Sequence, residues 1–374
     1  MKHLTIFLLL NFALFVGTAH AKDAVKYTSQ PDEIAVFLND IAFAQDTILL
    51  PGNVDVQIVL PDQIYQDTLI LRENGERIRN YNINRTTGQV LLEWIGSEDE
   101  EAREITLEYL VSGISWTPKY DMWLGTDEDE TVEFDFFAEI MNTGLLLEDS
   151  PVRLIAGRVD TSQQFTSVSS ITTNQFIAGY DEAESSGEIL TGSATIQHVY
   201  DVDNITTSPG DTLYIGLQES TLPTRRLHLW NAQNDNQVTV IYKVRNESDL
   251  PFVEGITRTY QNDLFLGSDF IELTPIGSEG SVTVGFLQDV RVNRTSSQIG
   301  IAGNYERDTQ HDVELTLTNF GDKAFDIAVV DRYLSDALDF SFSAEPIRSG
   351  DNLLRWEVTV EARETVTITY QFKD

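Results

Sequence analysis

Tyr-Leu-Val-Ser-Gly-Ile-Ser-Trp-Thr-Pro-Lys-Tyr-Asp-Met-Trp-Leu, residues 109–124, decides how the rest of the chain is read. An apolar and aromatic run is broken by Gly113 and then by Thr117-Pro118, residues that punctuate extended chain. The stretch reads as one strand, a fixed turn and a second strand carrying Tyr120 and Trp123. Outward from it, alternation of period two dominates. Val132, Phe134, Phe136, Ala138 and Ile140 point one way while Glu133, Asp135 and Glu139 point the other. The pattern returns at Val238/Val240/Tyr242/Val244, at Val313/Leu315/Leu317 and at Val366/Ile368/Tyr370/Phe372. Half-buried strands of antiparallel sheets look like this, and turn signals such as Glu73-Asn74-Gly75 and Pro209-Gly210-Asp211 fall between them. No long amphipathic helix is visible. The expected class is all-β: tandem antiparallel β-sandwich domains of the immunoglobulin-like kind, with little helix outside the leader.

The leader is read from the first residues. Lys2 gives a positive start, Leu4 to Val16 an apolar run, and Ala19-His20-Ala21 a small-x-small cleavage pattern. Residues 1–21 are therefore expected to be a secretory signal peptide, and the mature chain to lie outside the cytoplasm, periplasmic or extracellular. No later segment is apolar for long enough to suggest a transmembrane helix. The absence of cysteine excludes a disulfide scaffold, thiolate metal sites and cysteine nucleophiles, so buried apolar surface must stabilise the fold.

Sixty Asp and Glu against 25 Lys and Arg give a formal net charge of −35. Such a chain should repel nucleic acid and anionic lipid head groups, which makes both poor partners and leaves nucleic acid out of the expectation. The acids are scattered throughout, which suits solubility in a salty medium better than one cation-binding centre. Composition then suggests units in series: an N-terminal β-rich domain over 22–105, a central β-sandwich over 106–300 and a C-terminal sandwich over 301–374. Ser, Thr, Gln and Gly dominate 161–193, which reads as a mobile insertion in the central unit.

Several blocks resemble, in order, a large β-rich family of unknown function whose best-named members are the mucoidy-inhibitor proteins. After Tyr109 to Leu124 come Asn142-Thr143-Gly144 running to Val152-Arg153-Leu154, then Leu213 to Leu217. Leu250-Pro251, Gly255 to Tyr260, Thr283 to Phe286 with Asp289-Val290, and a tail of Glu314–Asn319, Val330–Leu334 and Leu354–Val358 complete the match, from about Thr106 onward. The sequence departs from the family at Leu147, where a Trp is usual, and 161–193 has no counterpart. Longer members carry a coiled coil before this domain, and nothing here has heptads. The resemblance implies an exported or envelope-associated β protein and brings no catalytic residues.

Chemistry-bearing patterns are sparse. His198, His228 and His311 lie far apart with no second ligand at zinc spacing. No Gly-x-Ser-x-Gly elbow, His-Glu-x-x-His helix or phosphate loop is present, and Ser115 lacks the glycines of a nucleophile turn. The acidic runs containing Asp127 and Asp129, and Asp201 and Asp203, are the calcium candidates, although neither has the spaced loop of an EF-hand and a solvated turn is the simpler reading. Trp116, Tyr120, Trp123 and Trp230 are the candidate sugar-stacking rings, set against the simpler reading that sandwich cores use such residues for packing. The expectation is therefore an exported, non-catalytic protein with no cofactor. It would act as a structural or adhesive scaffold whose partner is an envelope protein or a surface polysaccharide, with strand addition at a sheet edge as a contact mode. The alternative is a carbohydrate-binding module or a calcium-dependent enzyme acting on polysaccharide.

Overall fold

A computed structural model describes residues 25–51, 56–86, 88–94, 102–126, 130–159, 198–302, 307–335, 337–350 and 352–373. The expected leader, the expected insertion, Asp127 and Asp129 lie outside them. The described chain is almost entirely β, with one 3-10 turn at Gln66–Thr68. Alternation explains this: strand after strand buries every second side chain.

The strands form four sheets. A small one is ordered β1 (Val25–Thr28), β4 (Val56–Leu60), β8 (Gln89–Trp94), β7 (Tyr81–Thr86). A seven-stranded sheet runs β13 (His198–Thr207), β12 (Leu147–Ala156), β2 (Glu33–Phe37), β3 (Ile41–Leu50), β9 (Arg103–Ser112), β5 (Ile70–Glu73), β6 (Glu76–Ile78). The largest sheet is ordered β17 (Leu264–Ile271), β16 (Gly255–Gln261), β10 (Ile114–Leu124), β11 (Thr131–Asn142), β14 (Thr212–Asn231), β21 (Phe325–Arg332), β24 (Leu353–Val360), β23 (Ile347–Ser349). On that sheet β15 (Thr239–Arg245) also pairs with β14, and β18 (Glu279–Phe286) with β15. The fourth sheet is β19 (Val290–Ala302), β20 (Arg307–Asn319), β25 (Thr365–Lys373), β22 (Leu338–Phe342).

The sheets are mixed rather than antiparallel throughout. β12 runs parallel to β2, β10 to β16 and β14 to β21, each joining segments far apart in sequence. The boundary expected after residue 105 falls inside β9, and the seven-stranded sheet holds strands from both sides of it. The boundary expected after residue 300 falls inside β19. Two cores follow. One extends from Ile34 on β2 to Val282 on β18, and the other gathers Trp230 and Val238 with residues of β20, β21, β24 and β25.

The opening stretch folds with one difference from its sequence reading. Gly113 alone makes the break between β9 and β10. Its φ of +99° suits glycine, and a Cβ there would meet Gly144 Cα at 3.1 Å. Thr117-Pro118 is no turn and lies within β10. Pro118 sits one residue before pairing with β16 begins at Lys119, so its missing N–H has no ladder partner opposite on that side. β16 comes close at this point: a Cβ on Gly255 would stand 2.7 Å from Pro118 O and 2.8 Å from the Tyr120 ring.

The run from β17 through β10, β11 and β14 to β15 and β18 curls until its ends meet. There the Asp269 carboxylate accepts a hydrogen bond from Thr283 N at 2.5 Å, where a ladder would otherwise stand. Inside the curl, Tyr120 stacks on Phe136 at 4.7 Å and on Phe134 at 5.4 Å, with Phe252 edge-on at 5.7 Å. Each such ring, fully buried, contributes about 1.5–3 kcal/mol.

Candidate functional site

The sequence-nominated aromatics separate. Trp116 is buried, donates from Nε1 to Ile155 O at 3.1 Å and meets Tyr200 edge-on. Tyr120 is fully buried, its hydroxyl donating to Val253 O at 2.8 Å. Trp230 belongs to the second core and donates to Asp235 O at 2.9 Å. These three are packing residues with satisfied polar ends, as the simpler reading expects. Trp123, three residues beyond Tyr120, looks the other way.

Around Trp123 the outer faces of β17, β16, β10, β11 and β14 form a continuous surface, because the register sets their outward residues in rows. The first row is Phe265, Tyr260, Trp123 and Glu133. Its rings stand side by side, Trp123 to Tyr260 at 5.5 Å and 19° and Tyr260 to Phe265 at 5.6 Å. The second row is Ser268, Arg258, Asp121, Asp135 and Glu219. Arg258 grips Asp121 with two hydrogen bonds, 2.6 and 2.7 Å, and lies over the Phe137 ring at 5.2 Å. The third row is Phe270, Ile256, Lys119 and Phe137, and Tyr214 stands beyond it at 6.3 Å from Phe137. Lys119 pairs with Glu139 at 3.2 Å.

This face is both apolar and acidic. Phe265 is 59 %, Phe270 53 % and Tyr214 65 % exposed. Glu133, Asp135 and Glu219 have no donor or cation partner among the described residues. Burial, followed by the charges of Glu219, Asp121 and Glu133, raises the Asp135 carboxyl above the usual range. β16 inverts the usual alternation, burying Thr257 and Thr259 while Ile256 and Tyr260 face outward. The Thr257 and Thr259 hydroxyls have no hydrogen-bond partner among the described residues. Apart from Trp123, that inversion is the sequence signal that points to this face. The cross-strand neighbours are separated by up to 137 residues, so sequence spacing could not assemble the rows.

The chain belongs to the family described as domain of unknown function DUF4139. The family's profile matches residues 105–373, opening inside β9 and running to the last strand, so the outer face lies wholly within it. The expectation of a β-rich domain of unknown function over this span therefore stands. No curated protein matches the chain.

Asp201 and Asp203 lie on β13, in a strand rather than a turn, and both are exposed. Asp211, in the turn before β14, accepts from Ser208 N at 2.7 Å. Among the described residues no group of three or more His, Asp or Glu is placed to hold a metal ion. Both Asp residues border an open groove of about 660 Å³ between β13 and the first part of β14, lined also by Val199, Leu213, Ile215, Leu217 and Leu250. The histidines stay apart. His228 Nδ1 lies 3.1 Å from Asp326 O, and His311 stacks on Phe372 at 4.5 Å.

Proposed function

We propose that this is an exported, non-catalytic component of the cell envelope that works by holding another macromolecule, a scaffold or adhesive protein rather than an enzyme. The outer face carries this reading. A protein that keeps Phe265, Phe270, Ile256 and Tyr214 exposed together, beside carboxylates without partners among the described residues, has the composition of an interaction surface. Export rests on the leader pattern at 1–21, and the envelope setting on the resemblance to mucoidy-inhibitor proteins. The architecture proposed with it is a set of immunoglobulin-like two-layer sandwiches, supported by two cores that each collect side chains from more than one sheet.

A second reading, a carbohydrate-binding module, draws support from the Phe265–Tyr260–Trp123 row. Flat rings beside the Asp121–Arg258 pair offer stacking surface and hydrogen-bonding groups together. The test is retention from envelope extract on immobilised mature chain, with and without calcium, compared with the Trp123→Ala/Tyr260→Ala/Phe265→Ala variant. A protein retained by the native chain and lost by the variant is the expected result. Polysaccharide retained in its place would replace the scaffold reading with the second one.

A further inference from the structure

Among the described residues the seven-stranded sheet has an open edge. β13 ends it, hydrogen-bonded to β12 on one side only. Among the described residues no backbone hydrogen bond reaches its other side. The larger sheet continues beneath, so Leu213, Ile215 and Leu217 of β14 remain half-buried against the first core, and among the described residues only the groove lies above them. An unpaired ladder edge beside an apolar floor has the shape left when a sandwich lacks a strand.

We propose that this groove binds an extended polypeptide strand from another protein, added to the β13 edge, with apolar and basic residues in alternation. The backbone edge selects a polypeptide, because its free N–H and C=O groups are matched by another strand's backbone. The floor selects alternate apolar side chains, which would point inward over Leu213, Ile215, Leu217 and Leu250. The opposite side of β13 selects the charge. Val199, Asp201 and Asp203 face outward there, and Asp201 is 88 % exposed, with Arg153 only at 3.9 Å. Cross-strand neighbours of an added strand would lie about 5 Å from those carboxylates, where Lys or Arg is favoured and Asp or Glu opposed.

The register narrows the usable edge. Pairing with β12 is regular from His198 to Val202 and irregular from Val202 to Thr207, so the strand accommodated should be about five residues, or about 17 Å. A second copy of this chain is a poor occupant. Antiparallel pairing of β13 with β13 would bring Asp201 and Asp203 against their own copies in a chain already carrying −35.

The site is separate from the outer face, and its test stands apart from that reading. A fluorescent peptide of about ten residues alternating Val and Lys is titrated into the mature chain, with binding read by anisotropy in about 0.15 M salt. Comparison peptides have the same composition in blocks, alternate Val with Glu, or carry N-methyl groups on one backbone edge. The alternating Val/Lys peptide should bind at least about tenfold tighter than each of them. Asp201→Lys/Asp203→Lys, at exposed positions that leave packing intact, should reverse the preference toward the Val/Glu peptide. Hydrogen exchange should slow at His198–Val202 on binding, and the outer-face triple variant should bind the peptide as the native chain does. Equal binding of the block peptide would overturn the proposal in favour of plain attraction to an acidic chain. An unreversed preference in the Lys variant, or protection confined to other strands, would overturn it as well. So would sedimentation showing a dimer that the Lys substitutions dissolve.

Discussion

Tyr120 and Trp123 sit on one strand, three residues apart, and meet opposite fates. Tyr120 is enclosed by Phe134, Phe136 and Phe252, while Trp123 stacks on Tyr260 at the surface. The inner and outer faces of β10 and β11 carry similar chemistry, rings in both cases, yet one contributes stability and the other is available for contact. The difference lies in what the neighbouring strands add. Inside, the curl from β17 round to β18 gathers Tyr242, Val244, Ile271 and Val282 into the same core as the rings. Outside, no described element covers them. A ring's burial, not its identity, decides its energetic role.

The comparison breaks most visibly under truncation. Phe136→Ala should cost about 3–5 kcal/mol in urea unfolding, because the cavity lies in a closed interior. Tyr260→Ala should cost under about 1 kcal/mol in the same measurement. If the two losses came out equal, the distinction between the faces would fail.

Carboxylates repeat the contrast. Asp46 on β3 is buried, accepts from Ser29 Oγ at 2.5 Å and Gln30 N at 3.0 Å, and burial pushes its carboxyl up to about 6. A raised folded-state value means the native protein holds a proton that the unfolded chain has released. Stability from this group is whole below about pH 4, falls as pH climbs to about 6 and is level above, a change of at most about 3 kcal/mol. Asp46→Asn should remove that slope from a series of denaturation midpoints. Asp135, on the outer face, is raised in the same direction by burial and its acidic neighbours. Asp135→Asn should remove a shallower slope of the same sign, one that salt also flattens.

Thr259 sharpens the comparison from within. Its hydroxyl is buried with no partner among the described residues, so Thr259→Val should raise stability by about 1 kcal/mol while leaving the outer face unchanged. The smallest stability change is expected for Trp123→Ala, within about 1 kcal/mol, together with the largest loss of retained partner. Thermal unfolding run beside the retention assay would separate those two effects.

Much of the fold was legible. The alternation at Val132 to Ile140 gave β11 and its buried face, and turn residues at Asn74-Gly75 and Pro209-Gly210 marked breaks between strands. Thr117-Pro118 misled, because a proline signals a turn unless a ladder neighbour happens to be missing beside it. Units in series were also the natural inference from short-range pattern. Yet β2 pairs with β12 through Ile34 to Phe37 and Val152 to Ile155, and such a parallel contact leaves no local trace. The outer face was legible only in part, since Trp123 was nominated but Tyr260, Phe265, Arg258 and Tyr214 were not.

By itself the sequence determined that the chain is β-rich, acidic and free of cysteine, and which side chains of each strand share a face, because those properties follow from composition and a two-residue period. The tertiary structure decided which of the two faces is covered, which strand is left at the edge of its sheet, and that Trp123, Tyr260 and Phe265 stand in one row. Those outcomes depend on pairing between strands, in places more than a hundred residues apart as for Trp123 with Tyr260 and Ile34 with Val152, where hydrogen-bond register rather than local pattern sets the neighbours.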